Sequence, residues 1–502
     1  MKVSSLFNRT NLSSAALVAL ACILFFANIN HEPLWLDETY SASMAAHGPM
    51  DIIRYVQDDV HPPLYYLLLH GMTRLVGNTP LGLRMLSVLF GVGLVALGVG
   101  PLARLTDRRT GLLFSTLVMF SPALICFSQE TRMYSMAAFL LTGATLYGYL
   151  AYQKGKPKDF VLFSIFLVTG MYTHYYALLA LVLLCAGLLG LSFFRQRDHR
   201  RAMLIAIACG ALAYLPWIPS FIGQIERVRE GFWIPPTNLF IFEYALFMPF
   251  SFKVEDIPYF KSAWLAMGMV LIMSALAIRH KRRSEAVLPF TALTLGTYFG
   301  MLAAGLLISY IVAPVLMPRY MVVGAGLFFI PAAIGIAALA NPIVRYGIIG
   351  LLITLMLPAD IVILSHTFNG PFKALSAHIE KHSDETVPII HEDYQTVLPL
   401  WHRTPNRPHY LLVPRDDTET RIDDVHGRQR PTVIRNIDEV LGAPRKSNSR
   451  EAVLRAHRTA WLVNSDMADT LDNASLQTLD ETKKRFELPY SFVKVTLEQA
   501  IY

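Results

Sequence analysis

Two carboxylates stand side by side, Asp37 and Glu38, in the stretch WLDET just past the first long apolar run. Other polar clusters follow: QDDVHPPLYY (57–66) with Asp58, Asp59 and His61; SQETRMY (128–134) with Glu130, Arg132 and Tyr134; YTHYYA (172–177) with His174 and Tyr175; MPRYM (317–321) with Arg319 and Tyr320. A carboxylate placed like Asp37 can take a proton from an attacking hydroxyl. Guanidinium groups donate charge-assisted hydrogen bonds to phosphate. Brought together, these groups suit transfer from a lipid phosphate. Taken singly, each has an ordinary reading: solvated acids, snorkelling arginines, an interfacial aromatic belt or a proline-led helix start.

The elements that must position them are membrane helices. The chain has 502 residues, 54% hydrophobic and 16% charged, with mean hydropathy +0.41. Repeated apolar runs of about 20 residues mark a polytopic helical membrane protein. Candidate spans run 11–30, 81–103, 110–128, 133–152, 159–173, 175–194, 202–220, 263–279, 286–311, 320–340 and 343–365. The first is read as a retained span, because no small-residue cleavage site is clear. The stretch 62–77 is short, opens on two prolines and carries His70 and Arg74. Counting it as a span would turn the loops bearing Arg104/Arg108/Arg109, Lys154/Lys156/Lys158, Arg195/Arg197/Arg200/Arg201, Arg279/Lys281/Arg282/Arg283 and Arg345 to the outside. The positive-inside rule disfavours that. So 62–77 is expected to be interfacial or re-entrant. About 11 spans then place the N-terminus in the cytoplasm and the C-terminus outside, and all five polar clusters fall on the outer face.

The four cysteines lie in apolar runs, which argues against a disulfide framework or a metal cluster. The net charge of +7 is explained by the basic loops, without nucleic acid. No Walker A or dinucleotide fingerprint stands out. Residues 366–502 hold 38 of the 81 charged residues. Runs such as VPIIHED, PHYLLV and AWLVN alternate with the helix-like YQTVLPLWHR and SREAVLRAH. This predicts a small soluble α/β domain (366–502) on the outer side, after an all-α membrane domain (1–365). A transporter would place its charges at the bilayer midplane; here they gather at the rim, which favours an enzyme. A scaffold would leave the ordered polar turns unexplained.

WLDET, HPPLYYLLLH, LRMLSVLFGV, SPALICFSQETRMYSM, YTHYYALL and MPRYM resemble, in this order, the polytopic glycosyltransferases of the GT-C fold. The likeness covers about residues 10 to 340. It is to bacterial members of glycosyltransferase family 39, the protein O-mannosyltransferases, and to lipid A aminoarabinose transferases. The resemblance implies an inverting transferase of the bacterial inner membrane, using a polyprenyl-phosphate sugar donor and an envelope acceptor: lipopolysaccharide, glycan or protein. It implies juxtamembrane helices in the first outer loop and a catalytic acid there, matching Asp37 with Glu38 beside it. An aminoarabinose transferase would show a lysine where this chain has His61, so the lysine's role toward phosphate passes to His61. Donor contacts are expected from His61, Asp59, Arg132, Tyr134, His174, Tyr175, Arg319 and Tyr320. A divalent cation (Mg²⁺ or Mn²⁺) on Asp37 or Asp59 is compatible with hard oxygen ligands, though no spacing requires it. Within the enzyme class, a polyprenyl-diphosphate-linked glycan ligase or polymerase is the nearest alternative.

Overall fold

The computed structural model describes residues 9–195, 198–230, 234–252, 260–279, 287–366, 369–391 and 394–412, and beyond these 445–447, 450–457, 459–466, 483–486 and 494–501. Residues 231–233, 253–259, 280–286 and 413–444 are among those outside this set.

The chain opens with α1 (Arg9–Phe26), three short helices α2 (Leu36–Ala46), α3 (Pro49–Gln57) and α4 (Leu64–Val76), then α5 (Pro80–Leu97). Thr79 caps α5 by accepting from the Gly82 N–H, and Pro80 fits its first turn. A π turn, Gly98–Leu102, carries α5 into α6 (Ala103–Leu105). There follow α7 (Arg108–Met119), α8 (Pro122–Ser128), α9 (Tyr134–Lys154), α10 (Pro157–Met171), α11 (Tyr175–Phe194), α12 (Arg200–Tyr214), α13 (Ile218–Glu230), α14 (Leu239–Leu246), α15 (Phe260–Arg279) and α16 (Val287–Ile311). A 3-10 stretch, Pro318–Gly324, leads into α17 (Ala325–Ala338), and α18 is Pro342–Ser365.

Among the described residues, seven helices are long and apolar enough to cross a membrane, or eight if the α7–α8 pair, bent by 65°, forms one span. The chain is thus a multi-pass membrane protein. The remaining expected spans correspond to α1, α9 and α10, which fall short of that length or hydropathy. The apolar part of α1 is Leu12–Phe26, and α10 has 15 residues. Helix α9 is almost wholly buried and carries Thr142, Thr145 and several tyrosines, polarity tolerated because neighbouring helices cover it. Helix α17 is apolar on every side, and all but its last residue is buried; it runs through the centre. Helix α4 has 13 residues, about 20 Å, short of a bilayer core of about 30 Å.

After α18 come α19 (Phe372–His382), β1 (Ile389–His391), α20 (Tyr394–Arg403), β2 (His409–Leu412), β3 (Arg445–Ser447), the helix Arg450–His457, β4 (Thr459–Asp466), β5 (Lys483–Phe486) and β6 (Lys494–Ile501). The six strands form one sheet, in the order β3-β2-β1-β4-β6-β5. Its first four strands are parallel, and β6 runs antiparallel to both β4 and β5. Ile389 packs with Phe372, Leu375 and Trp461 on one face, and Ile390 with Val453 and Leu462 on the other. Both faces are therefore covered, as a largely parallel sheet requires. Val397 and Leu398 of α20 pack into the helical core, and α20 lies against α2.

A buried histidine pair ties α20 to the sheet. His409 Nε2 lies 3.1 Å from the Thr404 carbonyl oxygen, so it carries the proton. His409 Nδ1 then accepts from His391 Nε2 at 2.9 Å, and His391 Nδ1 accepts from the Thr396 hydroxyl at 2.9 Å. Burial holds His391 well below the ordinary histidine value, and pushes His409 down to about 4. At these two rings the folded chain therefore holds fewer protons than the unfolded chain below about pH 6.5. Their contribution to thermal stability should be flat above that pH and fall between pH 6.5 and 4, by up to about 1.4 kcal/mol per pH unit per ring. A melting-temperature series against pH, wild type beside the variant with both histidines replaced by glutamine, isolates this part of the slope.

Candidate active site

The first turn of α2 carries Asp37 and Glu38, which project about 100° apart around the helix. Glu38 turns inward and is fully buried. Its Oε1 accepts from Arg84 Nε at 2.8 Å and from the Thr131 backbone N–H at 2.9 Å; its Oε2 accepts from Arg84 Nη2 at 2.7 Å. The Thr131 hydroxyl and Asn369 Nδ2 add contacts at 3.1 and 3.3 Å. Arg84 spends its other donors on the Ile29, Glu32 and Pro33 carbonyls. Glu38, expected beside Asp37 in the chemistry, lies in a buried pair with Arg84. Both its oxygens are committed to fixing the loop before α2.

Asp37 turns the other way and keeps 22% of its side chain exposed. Its Oδ2 lies 3.3 Å from Arg319 Nη1 and 3.9 Å from Arg132 Nε. Arg319, in the 3-10 stretch ahead of α17, also sits over the Trp35 ring at 5.9 Å. Trp35 Nε1 donates to Glu130 Oε1 at 2.9 Å. Arg132 is almost fully buried in the turn between α8 and α9. It reaches His61 Nε2 at 3.1 Å, and the Ser41 and Tyr66 hydroxyls at 3.4 Å each. Its Nε has no hydrogen-bond partner among the described residues, nor has the Tyr134 hydroxyl.

The Tyr134 ring stacks on Tyr320 and sits 5.6 Å from His174, which in turn lies 5.0 Å from Tyr320 and 6.2 Å from His61. His174 caps α11: its Nδ1 accepts the Tyr176 N–H at 3.1 Å, so the proton of the neutral ring is on Nε2. Burial first, then neighbouring His61 and the two arginines, hold His174 well below its ordinary value. Burial likewise lowers His61, against the opposing pull of Asp59. Burial alone would raise the Asp59 carboxyl, but His61, the Val60 N–H and Arg132 together hold it below its ordinary value.

The structure thus brings together Asp37, Asp59, His61, Arg132, Tyr134, His174, Arg319 and Tyr320. It does not bring in Tyr175, whose hydroxyl donates to Gln224 and accepts from Trp217 Nε1 at 3.2 Å. The Tyr175 ring packs on Phe221 of α13, at 5.0 Å between centroids. Among the described residues no group of three or more His, Cys, Asp or Glu side chains is placed to hold a metal ion; Asp37 faces two guanidinium groups, and Asp59 Oδ2 faces His61. Sequence reasoning missed Arg84, Tyr66, Ser41 and Asn369. A lone arginine inside an apolar helix was the readable sign for Arg84. Nothing local marks Asn369.

Residues 60–220 match the family model described as dolichyl-phosphate-mannose-protein mannosyltransferase. The structure resembles that of ArnT from Cupriavidus metallidurans in the apo state, with a TM-score of 0.63 and 11% identity, over 96% of this chain and 97% of that one. It resembles the same protein bound to undecaprenyl phosphate with a TM-score of 0.60 and 12% identity, over 98% of each chain. No curated protein sequence matches this chain.

Proposed function

From a chain with the GT-C fold, we propose an inverting glycosyl transfer, in which a sugar moves from a polyprenyl-phosphate carrier to a hydroxyl of a cell-envelope acceptor. Asp37, partly exposed between two arginines, carries this reading. Asp37 takes the acceptor hydroxyl proton. The acceptor oxygen bonds to the sugar C1 with inversion as the C1–O bond to phosphate breaks. Polyprenyl phosphate leaves, its charge met by Arg319 and Arg132, with the Tyr134 hydroxyl and the His174 Nε2–H as neutral donors. The undecaprenyl phosphate bound to ArnT supports the carrier class. The basic loops support an outer-facing site in a bacterial inner membrane, with a cytoplasmic N-terminus. We assign residues 366–502 to a domain on that same side, since Asn369 and α20 reach α2.

The test uses purified protein in lipid, polyprenyl-phosphate sugars and an envelope extract, with polyprenyl phosphate release followed by mass spectrometry. Release that depends on acceptor supports the reading. Diphosphate-linked donors are supplied in parallel; release of polyprenyl diphosphate from these alone would replace the reading with a ligase or polymerase, and release from neither donor class would favour transport. Because Asp37 already faces two guanidinium groups, a chelator is expected to leave the release rate close to its untreated value. A large loss that Mg²⁺ or Mn²⁺ restores would overturn that expectation.

A further inference from the structure

His61 lies in the turn between α3 and α4, between a carboxylate and a guanidinium. Its Nδ1 is 3.2 Å from Asp59 Oδ2, and its Nε2 is 3.1 Å from Arg132 Nη2. A guanidinium has donors only. His61 Nε2 must therefore offer its lone pair to Arg132, which leaves the ring proton on Nδ1, directed at Asp59. The ring is neutral, in one tautomer, with hydrogen bonds running from Arg132 to His61 to Asp59. The other contacts of the Arg132 head are longer: 3.4 Å to Ser41 and Tyr66, and 3.9 Å to Asp37. Contacts of that length are weak, so His61 is what chiefly fixes the guanidinium plane.

We infer that His61 is a positioning residue: Asp59 sets its tautomer, and its Nε2 lone pair holds Arg132 with the Nε edge turned toward Asp37 and the donor phosphate. The inference rests on the lipid-phosphate reading above, and changes what His61 does within it. A neutral ring whose lone pair is committed to Arg132, and whose N–H is committed to Asp59, has no donor left for a phosphate oxygen. Arg132 is the ligand, and the Asp59–His61 pair is its support.

The roles separate by substitution at position 61. Glutamine offers an acceptor toward Arg132 and an N–H toward Asp59. Alanine offers neither. Lysine places donors against the donors of Arg132. The probe is polyprenyl phosphate, titrated into the full chain in lipid nanodiscs and read by native mass spectrometry. His61→Ala is expected to weaken binding by about tenfold or more, the lower end of the weight of a hydrogen bond to a charged group. His61→Gln should stay within about threefold of wild type, and His61→Lys should bind no better than His61→Ala. In an Arg132→Lys background, His61→Ala should add little, because both changes remove one contact. In turnover, His61→Ala should raise the donor KM and leave the acceptor KM alone, a split that general loosening of the fold would not give.

Wild-type affinity in His61→Ala, or tighter binding by His61→Lys, overturns the positioning role while the donor reading stands. A wild-type protein that neither binds nor releases polyprenyl phosphate overturns the donor reading, and the positioning role falls with it.

Discussion

Replacing Asp37 with asparagine is expected to lower turnover by about 10²–10⁴-fold, the range for loss of a general base, while polyprenyl phosphate binds more tightly than to wild type. The second half follows from where the carboxylate sits. Its Oδ2 lies 3.3 Å from Arg319 and 3.9 Å from Arg132, so it already compensates the two cations an arriving phosphate would seek. Asparagine keeps the shape and removes the charge, which leaves both arginines more available to the ligand. Native mass spectrometry gives the affinity, and release of polyprenyl phosphate gives the rate. A folded variant with near-normal turnover would remove Asp37 from the chemistry. Weakened binding with the rate lost would show that Asp37 holds the arginines in place rather than competing for them.

The other large effect is on the fold. Glu38→Ala or Arg84→Ala leaves the remaining charge buried without its counter-ion, a change that costs about 3–5 kcal/mol. Each single variant should therefore lose most of its folded yield or melt far below wild type. The double variant Glu38→Leu/Arg84→Met should be more stable than the two single losses added together, because neither charge is left behind. Melting in detergent, followed by a fluorescence probe, measures both. A Glu38→Ala protein with wild-type melting and no turnover would instead put Glu38 in the chemistry.

These two predictions show what could be read from the sequence and what could not. The apolar runs and basic loops mark the helices, and the polar turns between them mark the residues that converge. The shortness of α4 agrees with the charge argument that 62–77 does not cross. The division of labour between Asp37 and Glu38 is different. On α2 the two point in different directions, and their roles depend on which side meets Arg84, Thr131 and Asn369. Asn369 is 331 positions away from Glu38, so no local pattern registers it. Tyr175 stands apart from the cluster for a similar reason. It sits beside His174 in the chain, but the start of α11 turns it toward Trp217 and Gln224. Helices α9 and α10 read as spans by their apolar content, yet neither reaches the length and hydropathy of the seven; α9 spends its polar residues against its neighbours.

Asn369 and α20 also set an order of events in biosynthesis. Helix α2, with both carboxylates, leaves the ribosome early. The side chain that closes over Glu38 and the helix that packs on α2 arrive more than 300 residues later. At about 5–20 residues per second, that interval is roughly 15–65 s. During it the membrane helices hold an unfinished site, with a charge pair still lacking its last hydrogen bond. A chain stopped short of residue 369 would lack this hydrogen bond and the cover of α20 on α2, so the order of synthesis sets the order in which the surroundings of Glu38 close.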